Sequence, residues 1–272
     1  MKRQRIIVKV GTNVITRDDG MLNEKIIEQL AYQIAELKKR KVDVILVSSG
    51  AMAAGRSFAP AYCRRNKIIH RQLLAAIGQV ELMSTYARVF DNFGAICAQV
   101  LSTKEDFRSR RHYLNMKNCF EACLEDQVIP IVNENDVVST SELMFTDNDE
   151  LAGMIASMLD VDTVIFLSSV DGIYDGNPKD AGSKLISEID PQKEGCEKYI
   201  LKSKSEFGTG GMLTKCRIAK TLSSIGVSTY IANGTKDGII LDILDEKEIG
   251  TKFLAKKNVS KEKKWVAFSK GY

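Results

Sequence analysis

The chain has 272 residues, 44% hydrophobic and 27% charged, enough apolar matter for one large α/β domain or two smaller ones and too much for wholesale disorder. Its formal charge of +4 sits at the end: six lysines and one glutamate fall between Ala255 and Tyr272, leaving the rest of the chain close to neutral. That excludes the basic face of a nucleic-acid binder, and no apolar run approaches the roughly 20 residues of a membrane span, so the reading is a cytoplasmic protein with no nucleic-acid and no membrane partner.

The elements alternate along the chain. RIIVKV (Arg5 to Val10) predicts a strand, and the charged start MKRQ leads into it and not into a signal peptide's apolar stretch. Beyond a polar loop through Gly20, Asn23 is placed to cap a helix in which Ile26, Ile27, Leu30, Ile34 and Leu37 recur at helical spacing. VDVILVSS (Val42 to Ser49) is an almost unbroken apolar run, the pattern of a strand buried on both faces of a parallel sheet. A helix (Ile68 to Asn92), a strand (Ala95 to Val100), a helix (Tyr113 to Glu125) and the strand VIPIV (Val128 to Val132) follow. The second half continues with a helix (Glu150 to Leu159), the strand TVIFL (Thr163 to Leu167), a helix (Met212 to Ile225) and VSTYIA (Val227 to Ala232). Strands alternating with long helices imply βαβ crossovers, hence an α/β fold with an open, mostly parallel β-sheet sandwiched between helices. Ligands in such folds bind at the carboxyl ends of the strands, which directs attention to the loops there.

After the first strand stand Lys9, Gly11 and Thr12. Lys9 interrupts an apolar strand, where an unpaired ammonium is costly to bury; it either reaches out to water or meets an anion. The second strand ends in SSGAMAAG, with Ser49, Gly50 and Ala51 at the turn, which reads as a tight turn or as backbone N–H groups facing an anion. NENDVVST and TDNDELAG gather Glu134, Asp136, Asp147, Asn148, Asp149 and Glu150. Capping and the helix dipole account for one or two acidic residues at a helix start; the rest call for a metal, an amine or a nearby lysine. FGTGGMLTK then places glycines ahead of Lys215. This is neither a P-loop, whose lysine directly follows glycine, nor a dinucleotide fingerprint, whose third glycine would fall at Leu213. Glycine-rich backbone, a helix start and a lysine still make a phosphate site.

The six cysteines (Cys63, Cys97, Cys119, Cys123, Cys196, Cys216) form no C-x-x-C pair and are expected as reduced thiols. Two lysines on separate loops, glycine-rich turns and an acidic cluster point to phosphoryl transfer, in which the protein mainly positions reactants and offsets charge. A carboxylate acceptor is ionised at neutral pH and needs no general base, which suits a chain with only two histidines.

In their order, KVGTNVIT, VSSGAMAAG, NENDVVST with TDNDELAG, VDGIY and FGTGGMLTK resemble the glutamate 5-kinase family of the amino acid kinase superfamily. The resemblance runs from about residue 5 to 254. It implies the amino acid kinase fold over 1–254, with 255–272 as a lysine-rich tail similar to the connector into the PUA domain of longer relatives. The implied activity is ATP-dependent phosphorylation of the γ-carboxylate of L-glutamate, the first step of proline biosynthesis, with Mg²⁺ accompanying ATP and no metal site of the protein's own. By position, Lys9 and Lys215 would flank the transferred phosphoryl group and Asp149 would hold them, while Ser49, Gly50, Asp136 and Asn148 would bind glutamate, Asp136 taking the α-amino group. Lys9, Ser168, Ser169, Thr209, Gly210, Gly211, Met212, Leu213, Thr214 and Lys215 would line the nucleotide site, Ser169 standing where relatives commonly carry Asp. Feedback inhibition by L-proline, through loops around Asp106 and Glu142, assembly into a homodimer or homotetramer, and coupling to γ-glutamyl phosphate reductase are further implied partners. Three other readings are a sister kinase with a different carboxylate or carbamate acceptor, a catalytically silent amino-acid sensor, and an NAD-binding oxidoreductase. The two lysines with Asp149 speak against the sensor, and the missing fingerprint against the oxidoreductase.

Overall fold

The computed structural model describes residues 3–58, 66–139, 147–178, 180, 182–193, 195–196, 198–199, 209–257 and 259, with the backbone alone for Thr209 and Gly210. Its strands are β1 (Arg5–Val10), β2 (Asp43–Ser48), β3 (Cys97–Ser102), β4 (Ile129–Glu134), β5 (Thr163–Ser168), β6 (Glu188–Ile189), β7 (Ser228–Asn233) and β8 (Thr251–Phe253). The chain divides into two compact units, Val10–Asn148 and Met1–Lys9 with Asp149–Tyr272.

In the first unit the order is β3-β4-β2, all parallel, with Val100 opposite Val132 and Leu46 opposite Ile131. All six residues of β4 and five of the six in β2 are buried, as covering by helices on both faces requires. The helix Glu24–Lys39 starts where Asn23 caps it, Oδ1 accepting from the Ile26 N–H at 3.5 Å, and it buries Ile26, Ile27, Leu30, Ile34 and Leu37 as the periodicity predicts. The long helix Lys67–Asp91 carries Leu74, Leu82, Tyr86 and Phe90 into the core. The short helix Ala51–Arg56 lies directly on it, and glycine makes the approach possible: a Cβ on Gly55 would overlap the Leu74 carbonyl, and one on Gly78 the Ala51 carbonyl.

In the second unit the order is β1-β5-β7-β8-β6. β5 and β7 run parallel, while β8 turns antiparallel to β7 and parallel to β6. The helix Asn148–Met158 is buried nearly all round, and the helices Thr209–Ser224 and Ile239–Leu244 complete the unit.

Three boundaries depart from expectation for local reasons. The helix expected from Tyr113 begins at Arg110, because Ser109 caps it by accepting from His112 N–H. Asp106, expected in a regulatory loop, closes a capping box with Thr103 on the helix Lys104–Arg108, its Oδ2 accepting from the Thr103 N–H at 2.7 Å. The glycine-rich helix, expected from Met212, is already helical at Thr209, so Gly210 and Gly211 lie within it and not ahead of it. Glu142 and most of the 255–272 tail lie outside the described residues.

Candidate active site

In the second unit, β1 and the helices Asn148–Met158 and Thr209–Ser224 each send one charged side chain to a common point. Lys9 Nζ lies 2.6 Å from Asp149 Oδ1, and Lys215 Nζ donates to Asp149 Oδ2 at 2.7 Å. The side chains are 5%, 0% and 12% exposed for Lys9, Asp149 and Lys215, so one carboxylate shares two ammoniums away from bulk water. Burial pushes the Asp149 carboxyl up, but the charges and hydrogen bonds of Lys9 and Lys215 outweigh it and hold the group below the usual carboxylate range. Lys9 therefore meets an anion and does not reach for water. The cluster carries one net positive charge in a low-dielectric setting, where it attracts an anion strongly.

Elsewhere in this unit β5 and β7 end side by side. Ser168 Oγ accepts from the Val170 N–H at 3.3 Å and donates to the Val170 carbonyl at 3.0 Å, and Ser169 is exposed beside it. Asp171 Oδ1 accepts from Asn233 Nδ2 and lies 2.9 Å from Lys236 Nζ. Burial raises the Asp171 carboxyl, and its hydrogen bonds with Lys236 and Asn233 bring it below the ordinary range. Asp171 lies in the VDGIY run that carries the resemblance, while Asn233 and Lys236 stand outside every motif named there. The only available signal is the polar NGTK that breaks off an apolar strand. Gly211, Met212, Leu213 and Thr214 stand partly exposed on the helix with Lys215.

The first unit holds a different chemistry. Asn148 Nδ2 donates to the Ser48 carbonyl at 3.1 Å, Ser49 Oγ at 3.1 Å and Asn133 Oδ1 at 2.9 Å, while Asn133 Nδ2 donates to Gln79 Oε1 at 2.9 Å. The strand ends β2 and β4 are thus locked to each other and to the helix Lys67–Asp91. Gly50 turns the chain between β2 and the next helix at φ 102°, a conformation glycine adopts without strain. Beside it lies a cavity of about 340 Å³ lined by Ser49, Gly50, Arg56, Arg71, Asp136 and Asn148 among others, toward the small end of ligand pockets. Asp136 is bound to Arg71 Nη2 at 2.8 Å. The acidic groups taken together from sequence therefore have separate counterions: lysines for Asp149, an arginine for Asp136.

The expectation of six reduced thiols needs correction. Cys196 and Cys216 are buried with their sulfurs in bonding contact and Cα atoms 6.1 Å apart. They stand 20 positions apart in the chain, so no short motif reveals the pairing. Among the described residues no group of three or more His, Cys, Asp or Glu is placed to hold a metal ion, and no helix is long and apolar enough to cross a membrane.

An α/β scaffold with paired lysines on a buried aspartate defines a class: residues 4–233 match the model of the amino acid kinase family, and the chain belongs to it. A solved carbamate kinase from Giardia lamblia bound to AMP-PNP shares the fold, with a TM-score of 0.67 at 18% identity over 93% of this chain and 99% of that one. Within the family the chain is a member of the glutamate 5-kinases. It is 52% identical to glutamate 5-kinase of Chlorobaculum tepidum over 98% of this chain and 74% of that one. To the Bacteroides thetaiotaomicron protein of the same name it is 49% identical over 98% and 75%.

Proposed function

We propose that the protein transfers the γ-phosphoryl group of ATP to the γ-carboxylate of L-glutamate, giving γ-glutamyl phosphate and ADP, the first step of proline biosynthesis. The observation that carries this is the buried Lys9–Asp149–Lys215 cluster. Phosphoryl transfer spreads negative charge over the moving group and the oxygens at either end, and two fixed ammoniums offset it without reorganising at the moment of reaction. Asp149 aims both amines while touching neither reactant. The acceptor carboxylate is already anionic, so no side chain has to remove a proton. Ser49, Gly50, Asp136 and Asn148 bind glutamate, and Asn148 is followed in the chain by Asp149, one peptide bond linking acceptor recognition to the charge cluster.

The nucleotide is held by Lys9, Ser168, Ser169 and the run Thr209 to Lys215, whose helix start and glycine backbone favour phosphate. Mg²⁺ would be held by the bound nucleotide and would offset the charge of its phosphates. Proline as feedback inhibitor, a homo-oligomeric state, a cytoplasmic location and coupling to γ-glutamyl phosphate reductase accompany this reading as proposals. The test is ATP turnover with hydroxylamine trapping of the acyl phosphate. Glutamate should yield hydroxamate; a yield from aspartate, N-acetylglutamate or carbamate with none from glutamate would reassign the acceptor.

A further inference from the structure

The Arg71–Asp136 pair has chemistry beyond what the assignment of Asp136 to an amine requires. We propose that Arg71 binds the α-carboxylate of the acceptor amino acid, so that the pair reads the substrate's zwitterionic end as a unit. This rests on the glutamate reading above.

An α-amino acid carries its ammonium and its carboxylate on one carbon. A site that recognises both needs an anion and a cation held next to each other. Arg71 Nη2 sits 2.8 Å from Asp136 Oδ1, both side chains line the same cavity, and they are 38% and 11% exposed. Asp136 Oδ2 makes no further hydrogen bond among the described residues, which suits it to an incoming ammonium. The guanidinium is a planar fork with five donors, a shape matched to carboxylate.

The pair is not required as a structural tie. Gln72 Nε2 already donates to the Val137 carbonyl at 2.8 Å and Asn133 to Gln79, so the loop after β4 is fastened to the helix Lys67–Asp91 on both sides of Asp136. The cavity's other charged groups are Arg56, Glu134 and Asp147. Arg56 is a second cation but is not paired to the carboxylate assigned to the amine, and so lacks the adjacency a zwitterion demands.

Two analogues isolate the two halves of the pair. 4-Aminobutyrate is glutamate without its α-carboxylate, and glutarate is glutamate without its α-amine; both keep the carboxylate that accepts the phosphoryl group. Hydroxamate trapping with ATP is run on all three for the wild type, Arg71→Ala and Asp136→Asn. A charge-assisted hydrogen bond corresponds to roughly 10- to 100-fold. The wild type should favour glutamate over each analogue by at least that factor in kcat/KM. Arg71→Ala should lose the preference over 4-aminobutyrate, through a raised KM for glutamate and an unchanged kcat/KM for 4-aminobutyrate, while keeping most of the preference over glutarate. Asp136→Asn should do the reverse.

Equal losses on glutamate and 4-aminobutyrate in Arg71→Ala would overturn the proposal and make Arg71 a positioning residue for the loop. A wild type that uses 4-aminobutyrate as well as glutamate would overturn it too. If the wild type phosphorylates none of the three, the glutamate reading itself fails and this inference with it. Should Arg71→Ala not fold, Arg71→Gln carries the same comparison. Calorimetric titration without ATP gives a readout independent of turnover, with glutamate binding weakened in the variant and 4-aminobutyrate binding unmoved.

Discussion

Asp149 divides its carboxylate between two lysines, Oδ1 facing Lys9 and Oδ2 facing Lys215, at 2.6 and 2.7 Å. Replacement by asparagine keeps the shape and removes the negative charge that both amines face, leaving two close ammoniums in a buried site. Breaking a buried ion pair from one side costs about 3–5 kcal/mol, and Asp149→Asn is expected to lose stability on that scale in urea unfolding. Turnover should fall with it, because the lysines lose both their separation and their aim. A variant as stable as the wild type would mean that the amines shed their charge or move apart at no cost.

The same carboxylate sets a pH dependence with a definite sign. Its folded pKa lies below the ordinary value, so its stabilising contribution is complete above the unfolded carboxyl's pKa of about 3.9 and fades as pH falls through the lower folded value. The stability difference between wild type and Asp149→Asn should therefore be flat from pH 8 to 5 and shrink below about pH 4. Urea titrations at intervals across that range measure it. A difference that widened on acidification would show that the folded protein takes up the proton more readily than the unfolded chain.

Lys215 lies in one unit and the side chains assigned to glutamate in the other. Lys215→Ala should accordingly leave glutamate affinity nearly intact while lowering kcat by about 10²- to 10³-fold, the typical effect of losing one charge-stabilising donor in a transition state. Titration calorimetry and single-turnover phosphoryl transfer separate the two quantities. Near-normal turnover would remove Lys215 from the chemistry.

The strands were legible because four-residue apolar runs such as Val44–Val47 and Val164–Leu167 are buried on both faces, and that burial is written directly into composition. β6 and β8, of two and three residues, are too short to show any period, so the antiparallel turn at the sheet's edge could not be foreseen. At the site, Lys9 stood out because a lysine inside an apolar strand demands an explanation. Arg71 did not: an arginine on a long amphipathic helix is ordinary, and only the fold brings it to Asp136, 65 residues on. The Cys196–Cys216 pair and the Asp171–Lys236 contact were hidden for the same reason, since each joins segments that no local pattern relates.

The glycines where the helix Ala51–Arg56 crosses Lys67–Asp91 make the last prediction. A methyl on Gly78 would overlap the Ala51 carbonyl and the Gly55 N–H, which are backbone and cannot swing aside, so Gly78→Ala must push the helices apart. Overpacking of this kind costs about 1–3 kcal/mol. Arg71 lies seven residues earlier on the same helix, so the shift should also raise the KM for glutamate more than it changes kcat. Gly50→Ala acts differently: φ 102° is strained for any L side chain, at about 1–2 kcal/mol, and its Cβ would come 2.9 Å from Ile15 Cδ1, a side-chain end that can yield. Gly182→Ala, with nothing within 4 Å of the added carbon, is the control and should stay within about 0.5 kcal/mol of the wild type. Thermal melts and steady-state kinetics of the three variants test the order. A Gly78→Ala protein that melts with the control would show that the helices have room to spare where they cross.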